Sequence, residues 1–177
     1  AGETSAMIWW QRALDKGAGP DRITISTGMG VLQRDGELVP LAQVGASWGR
    51  GWDSLPLLRG IRGGGWLAID AHLKVAAPMK DQEELAAMAG QGGGLLSYLT
   101  PEMTAKIDAT LGWHATSSMM LINQLRLEKR DDIGFSGKLA TTLVRDLYGP
   151  AKGELGVVLP LWGEGEPAVK LGVWFAF

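Results

Sequence analysis

Apolar and polar side chains alternate with a period of two along most of the chain. Over residues 22–33, Ile23, Ile25, Met29 and Val31 share one face while Thr24, Ser26, Gly28 and Gly30 share the other. Residues 37–49 set Leu38, Ala42, Val44, Ala46 and Trp48 against Gln43, Gly45, Ser47 and Gly49. Residues 64–77 oppose Leu67, Ile69, Ala71, Leu73 and Val75 to Asp70, His72 and Lys74, and residues 103–114 oppose Met103, Ile107, Leu111 and Trp113 to Lys106, Asp108 and Thr110. The pattern recurs over 118–128, 135–146, 151–162 and 167–177. Successive side chains of a strand point to opposite faces, so strict alternation predicts strands, here eight of about ten to twelve residues. Arg34-Asp35-Gly36, Tyr148-Gly149-Pro150 and Gly163-Glu164-Gly165-Glu166 supply turn chemistry between them.

Two stretches break the alternation. Residues 4–16 place Met7, Ile8, Trp10 and Leu14 at helical spacing after Thr4 and Ser5, and before Gly17, which predicts a short amphipathic helix. Residues 81–90 carry acids first and a glycine last, which predicts a second one.

Alternation leaves open which face points outward. The polar face is rich in small residues (Gly28, Gly30, Gly45, Ser47, Gly112, Gly156, Gly172), as a narrow interior favours, and the apolar faces carry no charge in mid-strand. The chain ends Val169-Lys170-Leu171-Gly172-Val173-Trp174-Phe175-Ala176-Phe177, which resembles the C-terminal signal of bacterial outer-membrane barrels. The expected fold is therefore all-β: an antiparallel up-and-down transmembrane β-barrel of about eight strands with a short N-terminal amphipathic helix. Residues 1–21 would form helix and linker, and residues 22–177 the barrel. Connection 50–63 is long for a periplasmic turn, so a count of ten strands is the alternative. The resemblance implies a Gram-negative cell outer membrane, its lipids as partners, and periplasmic or envelope proteins as further partners. An N-terminal helix before such a barrel also resembles the outer-membrane lipid A palmitoyltransferases in layout. Their histidine-, aspartate- and serine-based chemistry does not carry over, because the candidate outer loops, 78–102 and 129–134, hold no histidine.

Composition narrows the chemistry. Lysine plus arginine is 17 against 19 acids, with no basic stripe, so nucleic acid is not an expected partner. The absence of cysteine removes disulfides, thiolate metal sites and cysteine nucleophiles. Two histidines, His72 and His114, lack metal-ligand spacing, and no cofactor motif is present; Gly60 to Gly65, with Arg59 and Arg62, lacks the ending of a phosphate-binding loop. A His72–Ser97 hydrolytic pair rests on availability alone. The candidate site is a lumenal polar cluster of Asp70, His72, Lys74, Lys106, Asp108, Gln124, Arg126, Glu128 and Lys138, read first as an ion-paired plug and second as a polar conduit or ligand site. Trp9 and Trp10 would mark an interfacial helix. These features predict a non-enzymatic outer-membrane barrel serving as an anchor, an envelope-assembly component or a narrow conduit. The alternatives are a lipid-modifying enzyme of that architecture and a soluble lipocalin-like binder.

Overall fold

The computed structural model describes residues 4–17, 19–34, 37–55, 58, 61–76, 102–131, 134–163 and 165–175. The helix expected over 81–90, Arg59, Gly60, Ser97 and Phe177 lie outside them. The described chain forms nine strands: β1 (Thr4–Ala13), β2 (Asp21–Arg34), β3 (Glu37–Gly51), β4 (Gly65–Ala76), β5 (Glu102–Thr116), β6 (Met119–Arg130), β7 (Gly134–Asp146), β8 (Ala151–Trp162) and β9 (Ala168–Phe175). Each pairs antiparallel with the next, in one sheet of order β1 to β9. A single 3-10 turn, Trp52–Ser54, follows β3. All eight alternating segments are strands, β2 to β9.

The N-terminal helix is corrected to a strand. Ile8-Trp9-Trp10 is β-branched and aromatic, chemistry that suits a pleated surface, and the open edge of β2 offers a full hydrogen-bonding partner, from Thr4 opposite Gln33 to Ala13 opposite Thr24. The apolar residues that fall at helical spacing also alternate, so pairing decides between the two readings. Asp15 fixes the connection: its carboxylate accepts the N–H groups of Ile23 (3.0 Å) and Gly17 (3.2 Å) and lies 3.4 Å from the Arg22 guanidinium. The Ile23 N–H, above all, holds this carboxyl below the usual aspartate range.

The barrel is corrected as well. The strand order runs from β1 to β9 as two free ends, and no ladder joins them among the described residues. Each end strand presents one row of backbone N–H and C=O groups without a strand partner among the described residues, and a sheet that spans a bilayer does not carry such an open edge through the hydrocarbon core. The transmembrane barrel, the outer-membrane location, and the anchor, assembly and conduit roles all rested on closure and fall with it. So do the lipid-modifying enzyme and the lipocalin-like binder.

The two faces of the sheet differ sharply. Leu32, Leu41, Ala76, Thr104, Ala140, Thr142 and Val144 are buried, and all lie on the face that carries the mid-strand charges, whereas Arg12, Asp21, Arg50, Lys129 and Arg145 stand near strand ends on the other. The opposite face exposes Ile8, Ile25, Met29, Val44, Ile69, Ile107, Leu155, Leu159, Leu171 and Val173. The sheet bows toward its polar face, since one cavity there is lined jointly by Ser5 of β1 and by Glu128 and Arg130 of β6. A small apolar cluster, Leu32, Val39, Leu41 and Ala76 with Met7 against it, fills one end of the concave side.

Four glycines seat rings from the neighbouring strand. Trp9 lies opposite Gly28, His72 opposite Gly45, Trp66 opposite Gly112 and Trp162 opposite Gly137. A Cβ at any of these four glycines would fall under 3.0 Å from the facing ring. Each ring therefore lies flat over the neighbouring strand where a side chain would otherwise stand, an arrangement known to rescue glycine in sheets.

Candidate functional site

Antiparallel register sorts the concave face into rows. One row runs Ser26, Gly45, His72, Lys106, Glu128, Ser136 across β2 to β7. The next runs Ser47, Asp70, Asp108, Arg126, Lys138, and a third runs Gln43, Lys74, Thr104, Arg130. Gln124 sits opposite Thr110 one row further on. All nine residues of the polar cluster thus share the concave face. Period two puts them there within each strand, and register aligns them between strands.

Neighbouring rows differ in charge. Lys106 pairs with Glu128 at 2.9 Å, a contact with both side chains partly exposed. Gln124 donates to Thr110 Oγ1 at 3.2 Å and accepts from Arg126 Nε at 2.6 Å. Further along, Lys170 meets Glu154 at 3.0 Å. The row of Asp70 and Asp108 is less comfortable, because two carboxylates stand directly opposite each other. Burial raises the Asp108 carboxyl above its ordinary range; the Arg126 charge opposes this and the Asp70 charge adds to it.

That shift has a testable sign. A carboxyl whose folded-state pKa is raised contributes stability below the unfolded aspartate value, about 3.9, and loses it as pH rises through the folded value. Asp108→Asn should therefore raise the denaturant midpoint slightly at neutral pH. The gain should vanish in acid below the ordinary aspartate range. Urea unfolding at the two pH values checks this, and an equal effect at both would contradict it.

One cavity of about 250 Å³ lies within the rows, lined by Trp9, Gln43, His72, Lys74, Thr104 and Lys106. A second, of similar size, shares Lys74, Thr104 and Lys106 and continues toward Ser5, Glu102, Glu128 and Arg130. His72 Nδ1 is buried without a hydrogen-bond partner among the described residues. Its ring is held over Gly45, where an added Cβ would collide with it.

Family models, curated proteins and solved structures give no match to this chain.

The sequence identifies the charged members of the cluster, but not Trp9, Gln43 and Thr104 as lining residues. Trp9 and Trp10 do not share an interfacial helix. As strand neighbours they take opposite faces, Trp9 over Gly28 in the concave cavity and Trp10 exposed among the apolar residues. The only signal for Trp9 is its parity with Ser5, Met7 and Gln11, which becomes readable once residues 4–13 are known to be a strand. Among the described residues no group of three or more histidine, aspartate or glutamate side chains is placed to hold a metal ion.

A third concave cavity gathers His114, Ser118 and Asp146 near the β5–β6 turn. Asp146 is committed to an ion pair with Lys152 rather than to His114. Trp66 lies against the His114 ring at 6.1 Å between centroids. The three residue types are those of a hydrolytic triad, but the aspartate serves a lysine, so no relay is built.

Proposed function

We propose that this chain is an amphiphile-binding β-sheet protein, with lipid acyl chains as the cover of its convex face. The observation that carries this reading is the extent of exposed apolar surface on one face. It runs from Ile8 (80% exposed) and Met29 (73%) at one end of the sheet to Val169 (70%) and Leu171 (77%) at the other. Water-soluble monomers rarely leave apolar patches above a few hundred Å² uncovered. The face is also dry in character. Its inner polar pair, Thr141 and Asn123, is self-satisfied by a 2.9 Å hydrogen bond.

Shape selects the occupant. A bowed sheet presents a convex surface, and two convex surfaces of rigid copies touch along a line and leave most of their apolar area open. Fluid acyl chains conform to such a surface. The tryptophans on this face support an amphiphile. Trp48 donates its indole N–H to Asp21 at 3.0 Å and Trp113 donates to the Arg62 carbonyl at 3.0 Å. Each indole therefore keeps its ring with the apolar residues and its polar tip at the rim.

The test uses protein in non-ionic detergent, exchanged into phosphatidylcholine vesicles with brominated acyl chains. In variants retaining one tryptophan, Trp113 fluorescence should be strongly quenched, while Trp66, on the concave face, should change little. A monodisperse monomer without detergent, and unquenched Trp113, would overturn the proposal.

A further inference from the structure

We infer that the concave cavity at Trp9, His72, Lys74 and Lys106 is a binding site for a small oxyanion, a phosphate group being the best match. This goes beyond amphiphile binding, since it concerns the other face of the sheet. The lining is made of donors. Lys74 and Lys106 bring two ammonium groups, Gln43 an amide and Thr104 a hydroxyl, and among the described residues no carboxylate lines this cavity. The acids of the region, Glu102 and Glu128, line only the adjoining one. Lys74 has no ion-pair partner among the described residues, although it is half-buried. Lys106 spends one contact on Glu128 and, with three N–H donors, keeps others for a ligand. A charge-assisted contact from each lysine to one anion would complete both without further desolvation.

His72 supplies the independent observation. It lines the cavity, and its Nδ1 is buried and without a partner among the described residues. That nitrogen packs against Gly45 and is closed to solvent, so the ring meets a ligand through the edge that lines the cavity. Gly45 holds the ring in place from the opposite strand. The volume of about 250 Å³ exceeds a bare phosphate group. The Trp9 ring forms an apolar wall for a substituent, so a phosphate monoester fits better than a free ion. A phospholipid headgroup carries the same chemistry.

The experiment separates these sources and keeps clear of the convex face. Protein is held in a phosphate-free maltoside detergent and titrated calorimetrically with inorganic phosphate, phenyl phosphate and short-chain phosphatidic acid in turn. The His72 ring resonances are followed by NMR. Saturable one-to-one binding with a shift of the His72 signals is expected, and Lys74→Met should weaken it about tenfold or more. Lys170→Met, which removes a cation paired elsewhere with Glu154, should leave it unchanged. Tighter binding of phenyl phosphate than of phosphate supports the Trp9 wall, and binding confined to phosphatidic acid assigns the site to a lipid headgroup. Absence of saturable binding by all three, or equal affinity in wild type, Lys74→Met and Lys106→Met, would overturn the site. Because detergent dependence is measured without any phosphate, failure here leaves the amphiphile reading standing, and the reverse also holds.

Discussion

Gly112→Val should destabilise the sheet by about 2–4 kcal/mol, because it evicts an aromatic ring rather than crowding a flexible neighbour. Gly112 is buried, and a Cβ there would meet the six-membered ring of Trp66 on the facing strand. Retreat is obstructed on one side by His114, whose ring lies 6.1 Å from that of Trp66 at 52°. Trp66 must therefore swing off its seat and lose packing, at a cost well above that of ordinary surface substitutions. Urea unfolding in detergent reads the shift in midpoint. A double-mutant cycle identifies its cause. On a Trp66→Ala background the space is vacant, and Gly112→Val should then cost under about 0.5 kcal/mol, since valine itself favours strands. Equal costs on both backgrounds would show that Gly112 serves something other than the ring.

This pairing also shows what the sequence could and could not disclose. The strands β2 to β9 were legible because each repeats a period-two pattern that no helix satisfies. The grouping of Asp70, His72, Lys74, Lys106, Asp108, Gln124, Arg126, Glu128 and Lys138 was legible for the same reason: parity within a strand fixes the face. Glycine-rich polar faces suggested a narrow closed interior. In the structure, Gly28, Gly45 and Gly112 are instead seats for rings one strand away. Composition cannot tell these apart, because seating depends on register between strands and not on the strand's own sequence.

Closure was beyond reach on similar grounds. Alternation says that a strand has two faces and is silent on whether the first and last strands meet. The sequence also placed the first strand in a helix, since Met7, Ile8, Trp10 and Leu14 satisfy a helical stripe while Ala6, Ile8 and Trp10 satisfy an extended one. A ten-residue segment at an edge has only one neighbour to decide the matter, and β2 decides it. That error hid the cavity. Trp9 reaches the neighbourhood of Thr104 and Lys106 through the bow of the sheet, a contact across four strand pairings that no local pattern encodes.

The convex face offers the sharpest remaining contrast, through two isoleucines of nearly equal exposure. Ile69 is 41% exposed and lies mid-sheet in the row of Ile23, Trp48, Ala109, Leu125, Leu139 and Leu159. Ile61 is 40% exposed in the connection before β4. If water bathed both, lysine at either place would change stability by no more than about 0.5 kcal/mol. A lysine forced against hydrocarbon instead costs roughly 2–4 kcal/mol. Ile69→Lys should therefore lower stability by that amount in lipid or detergent, while Ile61→Lys should remain near zero. Ile69→Met, which keeps the surface apolar, should also be close to neutral. Denaturant midpoints of the three variants in the same micelles provide the measurement. Equal behaviour of the two lysine variants would mean that no hydrocarbon covers the middle of this face, and the strongest argument for an amphiphile there would be gone.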